Sequence, residues 1–285
     1  MNPFDAFTIV AVDPASDEAG VAVASPGFAV GAVVPHVRAR IGAVATQGLA
    51  NPSAGPQGLD LLAQGFSPRR TVEKLIEADA DRRLRQFAIV DRFGNAAAFT
   101  GLECRAYAGH QCGKFFAAAG ARLTEKKSLQ AIGSAFASAP GILADRMLAA
   151  LAAAAKAGGG RKGARSAALL VARPRGGYGG TTDRHIDLRV DDAKDPLAEL
   201  RRLLDLHKLH AFRPEGGDLV RIEGKVVNDV QKGLKKRKLY DGPVNGRPSP
   251  ALFKALLAFH QEENVENRWS AEGVIDRTLL AMLKK

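Results

Sequence analysis

Thr8, the pair Thr46-Gln47, Asn51 and His110 are the residues whose types and settings could do chemistry together. Thr8 lies in the apolar run Phe7-Thr8-Ile9-Val10-Ala11-Val12, which reads as a strand. A strand at the start of a chain can present an N-terminal hydroxyl inside a β-sandwich. Such a hydroxyl carries its own base, because an α-amine with a reference pKa near 8 accepts its proton at neutral pH. Thr8 gains that amine only by cleavage after Phe7. Uncleaved, it is a mid-strand residue of high β propensity. Gln47 and Asn51 follow a buried small-residue strand and carry amides able to donate to an oxyanion. Asn51, beside Pro52, is equally suited to cap a turn. Thr46 adds a hydroxyl. His110, after Ala108-Gly109, is either a base or a hydrogen-bonding loop histidine.

Other chemistries find weaker support. His185 stands near Asp183 and Asp187, without the ligand spacing of a zinc site. Gly158 to Gly163 is rich in glycine but precedes a strand, whereas a phosphate loop follows one and opens a helix. It reads as a flexible basic connection. No metal and no cofactor are expected. Cys104 and Cys112 make no disulfide framework. The formal charge of +11 permits anionic partners without choosing among them. The basic run Lys232, Lys235, Lys236, Arg237 and Lys238 lacks the aromatic platform of single-strand nucleic-acid binding, so no specific nucleic-acid partner is expected. No stretch suits a membrane span, and Met1 to Asp5 shows no secretory pattern, so a cytoplasmic location is expected.

The elements that must position these residues alternate strands and turns at first. Strands are expected at 7–12, 20–25, 28–35 and 41–47, then helices at 58–64 and from Ser67, where Ser67 caps and Pro68 opens the first turn. A hairpin spans Gln86 to Thr100, and a strand pair surrounds Cys104 to Phe116. Helices follow at 125–138 and 141–157, strands at 166–172 and 186–190, and a helix at 196–210. This succession predicts an α+β layered sandwich. The segment Phe212 to Gly217 reads as a linker between domains 1–212 and 213–285. The second domain reads as three helices.

The first domain resembles DUF1028, a family of the N-terminal-nucleophile (Ntn) hydrolase superfamily. The resemblance rests on Phe7-Thr8-Ile9-Val10-Ala11, Phe28 to Pro35, Gly42 to Gln47, Ala50-Asn51-Pro52-Ser53, Ala108-Gly109-His110, Ser166 to Val171 and Asp187 to Asp192. It implies a four-layer αββα sandwich and hydrolysis of an amide or peptide of unspecified identity. It also implies a nucleophile where this chain has Ala6. Further departures are Ala119-Gly120-Ala121 in place of Gln-Gly-Asn, Gly160 in place of Asp, and Arg165 in place of Gln. The second domain resembles a small peptidoglycan-binding domain through Val230-Gln231, Leu234, Tyr240 to Gly246, Ala255, Phe259 and Glu272 to Asp276.

Two readings follow. One is an Ntn-type amidohydrolase acting on C–N bonds, with Thr8 exposed by processing. The other is a non-catalytic binding scaffold on that fold, its C-terminal module contacting peptidoglycan fragments or a protein. Small-residue sheet edges and Gly-rich loops offer surfaces for a homodimer. An intact N-terminus favours the second reading, and a mature chain beginning at Thr8 favours the first.

Overall fold

A computed structural model describes residues 5–77, 79–214, 216–271 and 273–285. The opening Met1 to Phe4, Glu215 of the linker and Glu272 of the C-terminal signature lie outside the described residues. The chain divides into two compact units, 1–203 and 204–285. Among the described residues no helix is long and apolar enough to cross a membrane.

The first unit is built on two antiparallel sheets. β1 (Phe7–Asp13), β2 (Glu18–Ser25), β7 (Gly109–Gly113), β8 (Phe116–Gly120), β9 (Ser166–Ala172) and β10 (Arg184–Val190) form a sheet ordered β10-β9-β2-β1-β8-β7. β3 (Pro35–Arg38), β4 (Gly42–Gly48), β5 (Arg85–Asp91) and β6 (Ala96–Thr100) form the second, in sequence order. The sheets pack face to face through β1, β8, β4 and β5. Helices α1 (Ala54–Ala63) and α2 (Pro68–Glu77) cover the four-stranded sheet. Helices α3 (Lys127–Ser138) and α4 (Leu143–Lys156) cover the six-stranded one. The result is the αββα order of layers, an α+β fold.

Period-two alternation explains why the layers form. Ala6 just before β1, and Val10 and Val12 on it, face the other sheet, as do Ala43 and Ala45 on β4 and Ala88 and Val90 on β5. The alternate residues Val44, Phe87 and Ile89 pack under α1 and α2. The inter-sheet core consists of alanine and valine, so the two backbones approach closely and little space remains for longer side chains. Thr8, Gln47 and Gln86 continue these inward rows at one end.

Residues 28–35 do not form the expected strand. Ala29 takes a left-handed backbone (φ 53°) that breaks an extended run, and Val30–Ala32 makes one short helical turn. The Ser166 hydroxyl meets the Val30 N–H, and Gly31 backs onto Ala168, where a Cβ would lie 2.7 Å away. The hairpin around Cys104 begins only at Gly109.

Helix α5 (Pro196–Ala211) contains the point at which the units are divided. The second unit holds α6 (Lys225–Lys236), α7 (Pro250–Glu262) and α8 (Arg277–Leu283). It also has a ribbon that the sequence did not suggest, β11 (Leu219–Arg221) against β12 (Val274–Asp276). The last of the three helices therefore starts only at Arg277, where the Asp276 carboxylate accepts the N–H groups of Thr278 and Leu279. Gln231 is fully buried and clamps the turn before α7. Its Oε1 accepts from the N–H groups of Asn245 and Gly246, both at 3.0 Å, and its Nε2 donates to Asn245 Oδ1 and the Arg247 carbonyl. Substituting Gln231→Ala strands those groups and is expected to destabilise this unit by about 2–4 kcal/mol. A lower denaturation midpoint, with faster amide exchange at Asn245 and Gly246, checks it.

Candidate functional site

Thr8, Gln47 and His110 are brought into one hydrogen-bonded chain, completed by two residues that sequence reasoning left as hairpin positions, Gln86 and Thr100. Thr8, Gln47 and Gln86 have no exposed surface. Thr8 stands between Val23 of β2 and Ala119 of β8 in the ladder. Its hydroxyl donates to Gln47 Oε1. Gln47 Nε2 donates to Gln86 Oε1 at 2.6 Å and to the Ala6 carbonyl at 3.2 Å. Gln86 Nε2 lies 2.9 Å from Thr100 Oγ1 and 3.0 Å from the carbonyls of both Gly109 and Gly120. Thr100 Oγ1 is 2.9 Å from His110 Nδ1.

The direction of this chain follows from elementary bonding capacity. A backbone carbonyl can only accept, so the Ala6, Gly109 and Gly120 carbonyls fix which end of each amide is nitrogen. Gln47 Oε1 is then left facing Thr8, and the Thr8 proton must go to it. Gln86 Nε2 carries two hydrogens, and the two carbonyls can take both, with Thr100 Oγ1 in close contact beside them. Thr100 Oγ1 and His110 Nδ1 share one hydrogen bond whose direction follows the ring's tautomer. The donors run one way from Thr8 inside the sandwich to Gln86, and His110 on edge strand β7 closes the chain. Burial by neighbouring protein pushes the His110 pKa below its ordinary value, which agrees with a neutral ring.

Thr46 and Asn51 belong to a different feature. Thr46 points to the opposite face of β4 from Gln47 and is fully buried. Its Oγ1 accepts from the Asn51 N–H at 3.2 Å, and Asn51 Oδ1 accepts from the Ser53 N–H at 3.2 Å. Together they shape the turn into α1. The structure does not join them to the Thr8 chain.

The mouth of the site is the start of β1. The Asp5 carbonyl accepts from the Ser25 hydroxyl at 3.0 Å, and the Ala6 carbonyl accepts from the Ala121 N–H at 3.0 Å as well as from Gln47. The Asp5 carboxylate meets Arg105 and Arg122. Ala6, where the resemblance implies a nucleophile, carries only a methyl group.

This fold and site define an α+β protein of two facing sheets under helices, with a buried amide-and-hydroxyl chain crossing the sheet interface. The chain belongs to the family described as "Family of unknown function (DUF1028)", whose model matches residues 6–200. Residues 212–283 match a model described as "Putative peptidoglycan binding domain". The crystal structure of protein SPO2555 from Silicibacter pomeroyi, a DUF1028 protein, is similar at 32% identity and a TM-score of 0.65, covering 71% of this chain and 89% of that one. No curated protein matches.

Two outcomes are expected. Thr8→Val preserves shape but leaves Gln47 Oε1 buried without a donor, costing about 1–3 kcal/mol of stability, whereas Thr8→Ser stays near the parent. Chemical denaturation of both variants checks this. The second outcome concerns pH. The folded His110 holds its proton less tightly than the unfolded chain does. As pH falls through about 6.5 the unfolded chain therefore protonates first, and stability declines until the lowered folded pKa is passed. His110→Gln should flatten part of that slope. His36 and His260, lowered by burial in the same direction, retain the rest.

Proposed function

We propose that this chain is a non-catalytic ligand-binding protein on an Ntn-hydrolase-type scaffold, with two domains joined near residues 212–217. Its C-terminal domain is proposed to contact peptidoglycan fragments. The carrying observation is the fate of the Thr8 proton. It is committed to Gln47 Oε1, an amide oxygen too weakly basic to activate a nucleophile. The αββα order of layers supports the scaffold assignment, and Ala6 at the implied nucleophile position supports the loss of catalysis.

Amide hydrolysis through Thr8 would need cleavage after Phe7. That cut would remove the Ala6 carbonyl, which the Gln47 amide holds at 3.2 Å. It would also remove the Phe7 pairings to Ala24 and Gly120. Processing thus acts against the packing that surrounds the candidate nucleophile.

For the C-terminal domain, the family description supplies the ligand class. A cleft of about 490 Å³ within the unit 204–285 gives it a location, lined among others by Asp205, Lys208, Arg213, Asp218, Arg268 and Thr278. Both signs of charge and a hydroxyl suit a peptide bearing carboxylates and amines.

The test combines intact mass with a threonine-directed β-lactone and a panel of amide substrates. The expected result is a chain that retains Ala6-Phe7, forms no adduct and releases no amine. An adduct on Thr8, or a chain beginning there, would establish the hydrolase reading instead. Co-sedimentation with purified peptidoglycan tests the second domain. Arg213→Ala is expected to reduce retention several-fold, and equal retention of both proteins contradicts the placement in this cleft.

A further inference from the structure

Two arginines converge on one carboxylate oxygen at the mouth of the site. Asp5 is only 7% exposed. Its Oδ2 accepts from Arg105 Nη1 at 3.0 Å and Arg122 Nη1 at 3.3 Å. Its Oδ1 is buried and has no hydrogen-bond partner. The arginine side chains are themselves 48% and 32% exposed, so the cradle opens to solvent while its occupant does not.

The backbone holds this cradle in place. The Arg122 N–H donates to the Arg105 carbonyl at 2.8 Å, and the Arg122 carbonyl accepts from the Arg161 N–H at 3.1 Å. Arg122 takes a left-handed backbone (φ 55°), unusual for a residue with a side chain. A carboxylate serving only as an anchor normally satisfies both oxygens when buried. Asp5 satisfies one, because its short side chain is tethered to a β1 start already fixed through Ser25, Gln47 and Ala121. A free carboxylate could turn to face both guanidinium groups in the forked geometry that arginine favours.

We propose that Arg105 and Arg122 form a carboxylate-binding site that Asp5 occupies as a tethered stand-in, and that the ligand of the first domain carries a carboxylate. The site is adjacent to the Gln47 amide through Ala6, so a bound carboxylate places the rest of the ligand at the end of the inter-sheet chain. Occupation by Asp5 makes binding competitive. The ligand gains the cradle only as Asp5 leaves it, and the apparent affinity of the unaltered protein is reduced by the fraction of time Asp5 is seated.

Identification of the ligand rests on the binding role proposed above, but the cradle can be tested without it, using acetate as the probe. Asp5→Ala removes the tethered carboxylate and leaves the arginines unopposed. Its melting temperature is expected to rise by about 3 °C in acetate over chloride at equal ionic strength. Asp5→Asn fills the space and should show no acetate-specific rise, and Asp5→Ala/Arg122→Ala should lose it. Should Asp5→Ala be unfolded, acetate-specific recovery of folded protein is read in its place. No acetate-specific effect in Asp5→Ala, or an equal one in the double variant, overturns the site. Neither result depends on whether Thr8 is ever a nucleophile, so failure here and failure of the non-catalytic reading are separable.

Discussion

Three backbone carbonyls govern the centre of the first unit. The Ala6, Gly109 and Gly120 carbonyls face the gap between the sheets and cannot donate, so the buried amides of Gln47 and Gln86 must present nitrogen to them. Once both amides are fixed, the Thr8 hydroxyl has no choice of partner. Burial makes the constraint strict, because a polar group left unpaired in this alanine and valine interior would cost its full desolvation penalty. The two glutamines thereby bridge β4 and β5 to β1, β7 and β8, and each sheet fixes polar groups of the other.

The same constraint supports the non-catalytic reading proposed above. A hydroxyl activated for attack must deliver its proton to a base. The Thr8 proton goes to an amide oxygen, and His110, the one basic side chain in the chain, meets Thr100 instead of Thr8. The structure thus retains a saturated polar core at the position where the resemblance implies catalysis. Saturation suits a rigid scaffold, whereas Asp5 Oδ1, at the start of β1, keeps spare capacity.

Much of this was legible in the sequence. The apolar alternation of β1 and β2, the small-residue run of β4, and the Ser-Pro start of α2 each follow from local rules, and the family motifs ordered them into layers. Gln47 was visible because it ends a buried strand. Gln86 and Thr100 were not, since both read as ordinary members of a hairpin. Their role depends on Gln47, 39 residues from Gln86, and on carbonyls whose direction only the sheet pairing sets. Thr46 and Asn51 looked equivalent to Gln47 in sequence, but strand parity turns Thr46 to the helix side. The misread strand at 28–35 has a similar cause: valine-rich composition argues for extension, while Ala29 and the Ser166 hydroxyl impose a turn through contacts distant in sequence.

The most direct measurement of the chain's direction is the orientation of the Gln47 side-chain amide, read by NMR from the contacts of its Nε2 protons and from exchange of the Thr8 hydroxyl proton. The account predicts Gln47 amide protons against Ala6 and Gln86 and a Thr8 hydroxyl proton protected from exchange. Gln47 amide protons facing the Thr8 hydroxyl would turn the amide over and contradict the commitment of the Thr8 proton to Gln47 Oε1.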